Sequence, residues 1–177
     1  MQNDNLKSYL HLHVIVFIWG FTAILGKLIS LEALDLVWYR MLFASVIMTF
    51  VVLFNKEKIK VPFNVLIGFI VSGIIIAAHW LTFYQAIKVS NVSITLACLS
   101  TGAFFASILE PIFYKRKVIW YELLFGLIVV VGLGIIFNVE TKYTTGIYLA
   151  VTSAFLSALF SVINGKYAKE YDPNVIS

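Results

Sequence analysis

Long intervals without a charge restrict what this chain can fold into more than any other feature. No Asp, Glu, Lys or Arg occurs between Lys7 and Lys27, Lys60 and Lys88, Lys88 and Glu110, or Lys142 and Lys166. A helix crossing the roughly 30 Å hydrocarbon layer of a bilayer needs about 20 mostly apolar residues, so each interval predicts one spanning helix. Two further stretches carry a charge only near one end: Leu34 to Phe54, with Asp35 and Arg40 in its first turns, and Val118 to Asn138, with Glu122. The expected fold class is therefore an all-α membrane protein, a polytopic bundle of about six transmembrane helices over residues 12–31, 34–54, 63–87, 92–113, 118–138 and 145–167. Composition agrees: 61% hydrophobic, 12% charged and a mean hydropathy of +0.95 lie outside the range of soluble domains. A β-barrel would alternate apolar and polar residues, whereas Gly126 to Phe137 (GLIVVVGLGIIF) is apolar on every side. The first run does not read as a cleaved signal, because its flank is nearly neutral and no A-x-A-like site precedes Lys27.

Lys and Arg placement orients such a bundle. With the N-terminal segment 1–11 in the cytoplasm, the inner segments hold Lys7, Lys56, Lys58, Lys60, Lys115, Arg116, Lys117, Lys166 and Lys169, and the outer loops hold Lys88 and Lys142. Nine against two predicts a multi-pass protein of the cell (inner) membrane with both ends of this chain cytoplasmic. The run Lys115-Arg116-Lys117 is then a topology signal beside a helix end, and no nucleic-acid partner is expected. The loops are short, so the activity is expected inside the bilayer. Cys98 is the single cysteine and reads as a small apolar filler. Motifs of the type G-x-S-x-G or H-E-x-x-H, paired carboxylates within a span, and Cys/His metal spacing are all missing from the sequence. The chain is expected to be no enzyme and to hold no metal or cofactor.

Polar side chains inside a bilayer are costly and by default candidates for function. In the third span His79, Thr82 and Gln85 recur every three residues, with Ser72 one heptad before His79, and Trp80 and Tyr84 flank this stripe as possible stacking surfaces for a flat or cationic ligand. His79, the only histidine deep in a span, is the first candidate for substrate or proton coupling, and a hydrogen bond to a neighbouring helix is its competing reading. Arg40 lies about two turns into the second span, where it can attract an anion or pair with Asp35, and Lys27 is expected to snorkel. Glu110-Pro111 is a candidate gate, since proline removes a helix hydrogen bond. Its plainer reading is a carboxylate neutralised by Lys115 or Arg116. Ser153, Ser157, Ser161 and Gly165 follow a four-residue spacing that predicts a close helix-packing seam, echoed by Ser93, Ala97 and Thr101.

An internal match suggests a repeat. Residues 26–37 (GKLISLEALDLV) align with 165–176 (GKYAKEYDPNVI), which places the sixth helix over the first with five helices per repeat. An odd number inverts the second copy, the arrangement of many secondary transporters.

Trp19-Gly20 in the first span, Arg40 opening the second, Gln85-Ala86 closing the third, Gly126, Gly132 and Gly134 in the fifth, and the stretch 90–111 (SNVSITLACLSTGAFFASILEP) resemble the EamA-type transporters of the drug/metabolite transporter superfamily. The resemblance covers residues 12–138 as one five-helix repeat and 145–177 as the first helix of a second repeat with a cytoplasmic tail. It implies two inverted five-helix repeats around a central cavity, a small-molecule substrate such as an amino-acid-like metabolite, often export, and Trp19 beside the pathway. Family members usually carry a proline near the position of Gly102 and an acidic residue where Lys117 stands, so these two roles are not carried over. The length implies a fragment of a ten-helix protein whose second repeat is missing from this chain. The alternatives are a small homodimeric multidrug-type pump, against which residues 8–26 lack the carboxylate such pumps place in their first helix, and a non-transporting membrane protein or truncated product.

Overall fold

The structure, a computed structural model, describes residues 2–55, 61–139 and 141–171. Lys56, Lys58 and Lys60, and the last residues of the internal match, lie outside the described residues. The element order is α1 (Gln2–Leu28), α2 (Ala33–Phe54), α3 (Phe63–Val89), α4 (Val92–Leu99), α5 (Gly102–Tyr114), α6 (Trp120–Val139), a 3-10 turn (Thr141–Tyr143) and α7 (Thr144–Tyr167). Among the described residues there is no strand. Among the described residues five paths are long and apolar enough to cross a membrane: Leu6–Leu28, Ala33–Phe54, Phe63–Val89, Val92–Tyr114 and Thr144–Tyr167. The apolar part of α6, Trp120–Ile135, is shorter. The chain is thus a polytopic helical bundle.

Large apolar side chains point outward all along it, as Phe17, Phe43, Ile74 and Ile128 do. In water such a surface would drive aggregation, whereas lipid tails solvate it without cost, so the exposed faces carry membrane residence and the interior can be built from small residues. Local signals set the helix ends. Pro62 precedes α3 with φ −59°, the value its ring already imposes. The Asn91 side chain accepts from Ile94 N at 2.9 Å and caps α4. Lys115 stops α5 in the left-handed region at φ 52°.

Helix α3 lies at the centre and packs most extensively on α7. The contact face of α7 is Gly146, Ala150, Ser153, Ala154, Ala158 and Val162, all buried. A Cβ on Gly146 would lie 2.5 Å from the Ser90 Cβ, so these helices approach as closely as a hydrogen side chain permits. The serine spacing captures only part of this packing. Ser153 belongs to it, but Ser157 is half-buried, Ser161 is exposed and Gly165 faces the Tyr114 hydroxyl. Side-chain size decides the register, and alanines supply most of the small positions. Gly126 serves α6 in the same way, its bare Cα resting on the backbone of Phe104 in α5.

The fourth span is broken, though not where the proline suggested. Helix α5 runs through Pro111 to Tyr114, and the interruption is Ser100-Thr101. Ser100 Oγ donates to Ala97 O at 2.6 Å, Thr101 Oγ1 donates to Cys98 O at 2.7 Å, and Thr101 N donates to Cys98 O at 3.1 Å. Hydroxyls bonded to carbonyls one turn back compete with the regular ladder and tighten it toward i to i−3 bonding. Gly102 then restarts the helix.

Candidate functional site

The polar candidates of α3 separate into two places. His79 is buried against α7, where its Nδ1 lies 2.9 Å from the Ser153 carbonyl oxygen and the Ser153 hydroxyl donates to the His79 carbonyl at 3.1 Å. The Ser153 hydroxyl also lies 2.9 Å from Nδ1, so either tautomer of the imidazole finds a partner on this one residue. A reciprocal pair of this kind fastens α3 to α7, and it is the arrangement that a packing histidine adopts. Thr82 Oγ1 donates to Ala78 O at 2.8 Å and His79 O at 3.0 Å along its own helix. Gln85 is half-buried. None of these three side chains lines the pocket between α1, α2 and α3.

Convergence occurs on the neighbouring face. Arg40 of α2 crosses to α3, donating from Nη1 to the Tyr84 hydroxyl at 2.7 Å and laying its guanidinium 3.7 Å from the Trp80 ring centroid. Trp80 and Tyr84 lie nearly parallel, 5.7 Å apart with a 23° interplanar angle. Of the rings anticipated as ligand platforms, Trp80 thus stacks on a cation of this chain itself and Tyr84 accepts a hydrogen bond from it, and no Arg40–Asp35 ion pair forms among the described residues. Beneath them Ala23, Ala33, Leu36, Val37, Phe83 and Ile87 form a buried apolar base.

Arg40 and Tyr84 open onto a pocket of about 290 Å³ between α1, α2 and α3, whose other walls include Thr22, Gly26, Leu36 and Tyr39. No acidic residue lines it. Gly26 makes the geometry possible, because a Cβ there would sit 2.6 Å from Tyr84 Cδ1. Sequence reasoning had assigned Gly26 to the repeat match and had overlooked Thr22 and Tyr39. Proximity of Tyr39 to Arg40 in the chain was the available signal, and nothing local marked Thr22. Trp19 is 69% exposed, on the outer face of α1, and does not line this pocket.

Beside the pocket the ends of α1 and α3 are joined by two lysines. Lys27 Nζ donates to Ile87 O at 3.4 Å, and Lys88 Nζ donates to Ile29 O. Each ammonium supplies the C-terminal carbonyls of the other helix, the end where the helix dipole is negative. Lys27 accordingly reaches protein rather than only snorkelling.

At the opposite ends of these helices Arg116 Nη2 lies 2.8 Å from Glu110 Oε2 and 2.9 Å from Glu122 Oε2. The bond to Glu122 is the largest cause holding the Arg116 ionisation above its ordinary value, with burial acting the other way and Glu110 adding to the rise. Arg116 thereby ties α5 to α6, and Glu110 serves as a structural carboxylate there. Tyr114 donates to Val162 O at 2.6 Å, and Lys169 lies 5.2 Å from the Tyr114 ring centroid, which ties α5 to α7 at this same end.

Among the described residues no group of His, Cys, Asp and Glu could hold a metal ion. What the arrangement offers is a small, mostly apolar pocket with one fixed guanidinium, set among membrane-length helices. Comparison with curated proteins and with solved structures yields no match. The stretch from residue 6 to residue 138 matches the EamA-like transporter family. The chain, a bundle of membrane-length helices with a mostly apolar pocket, belongs to the EamA-like transporter family, and it is a multi-pass membrane protein of a transporter family, not of an enzyme family.

Proposed function

We propose that this chain carries part of the pathway of a secondary transporter in the cell membrane that exports a small metabolite, an amino-acid-like compound or a relative of one. The observation that carries this reading is the pocket of about 290 Å³ walled by α1, α2 and α3, because its size suits a metabolite and Arg40 gives it one strong recognition group. The α3–α7 contact supports the further reading that α7 opens a second, inverted repeat. That repeat would supply the remaining wall of the cavity, and rocking of one repeat against the other would alternate access. Orientation with both ends of the chain inside follows from the lysine and arginine distribution, and the joint position of Lys169 and Tyr114 at one end of the bundle fits it.

The test compares the growth medium of cells expressing the gene with that of cells carrying an empty vector, by metabolomics, after fractionation places the protein in the membrane. One or more small metabolites are expected to accumulate outside. Identical media at full membrane expression would refute export, and accumulation inside the cells would reverse the direction.

A further inference from the structure

We propose that the α1–α2–α3 pocket takes a small organic carboxylate with an apolar body, that Arg40 binds its carboxylate, and that Tyr84 and Gly26 are the positioning residues of that guanidinium. This deepens the carrier reading, on which it rests for its role in transport but not for binding itself.

A guanidinium presents five N–H donors in a planar fork that matches a carboxylate bidentately. One of these donors is engaged with the Tyr84 hydroxyl, and the flat face of the group is covered by Trp80 at 3.7 Å. Both partners are neutral. They hold the group in one plane and leave part of its edge toward the pocket that it lines. The ion pairs present among the described residues both involve Arg116, so no carboxylate of this chain there compensates Arg40. Arg40 is itself exposed, so a ligand anion reaches it without displacing a carboxylate of the chain and gains a charge-assisted pair there.

The walls indicate the rest of the ligand. No Asp or Glu is there to repel a carboxylate or to favour a cation, and Leu25, Ile29 and Leu36 present apolar surface. A volume of about 290 Å³ limits that body to a few carbons or a single ring. Gly26 sets the geometry from beneath, because only a residue without Cβ admits the Tyr84 ring, whose hydroxyl then reaches Arg40. The fork, its neutral supports and the bare glycine form one arrangement drawn from three helices.

The experiment measures equilibrium binding of radiolabelled phenylacetate and isovalerate to the full chain in nanodiscs, with phenylacetamide and isovaleramide as competitors. Each amide keeps the body and removes the charge. At least one acid is expected to bind displaceably and to compete about tenfold or more better than its amide, the worth of one charge-assisted pair. R40Q is expected to erase that preference. R40K, which keeps the charge but not the fork, should retain it only in part, and Y84F and G26A should each weaken the acid while leaving the amide unchanged. Absence of displaceable binding of either acid, equal binding of acid and amide, or an undiminished preference in R40Q of unaltered helical content would overturn the proposal. Flux measurements separate the two readings. Acid-selective binding without transport of any metabolite removes the carrier reading and leaves this site, while transport persisting in R40Q without acid selectivity does the reverse.

Discussion

Replacing Gly126 by alanine tests whether the close approach of α5 and α6 is structural. The added Cβ would stand 2.8 Å from Phe104 Cα and 2.9 Å from Phe104 Cβ. Carbon atoms in ordinary contact lie about 3.5–4.0 Å apart. The helices must therefore part by roughly 1 Å along this line, because the nearest obstacle is backbone and cannot rotate away. Overpacking of this kind costs about 1–3 kcal/mol, offset by about 0.5–1 kcal/mol that alanine gains over glycine inside a helix. A net loss of about 1–2 kcal/mol is expected. Gly132, on the same helix two turns on, has nothing within 4 Å of an added Cβ, so G132A should be neutral or stabilising by up to about 1 kcal/mol. The two variants share chemistry and helix and differ only in what stands opposite, so their separation of about 2 kcal/mol isolates the contact. Reversible SDS unfolding from mixed micelles, followed by tryptophan fluorescence, reads it directly. Equal stability of G126A and G132A would refute the packing argument.

Further outcomes are expected elsewhere in the bundle. S153A removes the hydroxyl contacts to the His79 carbonyl and to Nδ1 but keeps the Ser153 carbonyl beside Nδ1, so it should cost no more than about 2 kcal/mol in the same unfolding assay; a larger loss means that the hydroxyl holds the pair together. R116A frees Glu110 and Glu122 near the surface and should lower stability slightly at low salt, by an amount that shrinks as salt is added. A loss that is unchanged in 1 M NaCl, where surface charges are screened, contradicts an electrostatic tie. In a Cys98→Ala background, K142C is expected to react with an impermeant maleimide in intact cells, while K7C and K117C react only after permeabilisation. The opposite pattern inverts the topology.

How much of this was legible in the sequence depended on the range of the signal. Span existence follows from charge spacing, a property of about 20 consecutive residues, and the all-helical bundle, with five membrane-length spans and a shorter apolar helix among the described residues, agrees with it. The break in the fourth span was not anticipated, because proline is the conspicuous helix breaker, whereas two adjacent hydroxyls folding back on the carbonyls of Ala97 and Cys98 are inconspicuous in sequence. The serine spacing on α7 reaches Ser153 but not Gly146, Ala150, Ala154 and Ala158, because alanine and glycine are inconspicuous within an apolar run. Arg40, Trp80 and Tyr84 were each singled out, but their mutual contacts span 44 residues of chain between Arg40 and Tyr84. No local period encodes such a contact. His79 and Ser153, 74 positions apart, illustrate the same limit, and their pairing supports the fastening role over coupling.

The exchange of lysines between α1 and α3 has a consequence for ligand affinity. Gly26 and Ile29 on one side of the pocket, and Tyr84 on the other, belong to the two chain segments that Lys27 and Lys88 clamp together. A wall that is already fastened loses little freedom when a guest arrives, so the entropy of shaping the pocket is spent during folding rather than at each encounter. Loosening either clamp should weaken capture without touching a single contact to the guest.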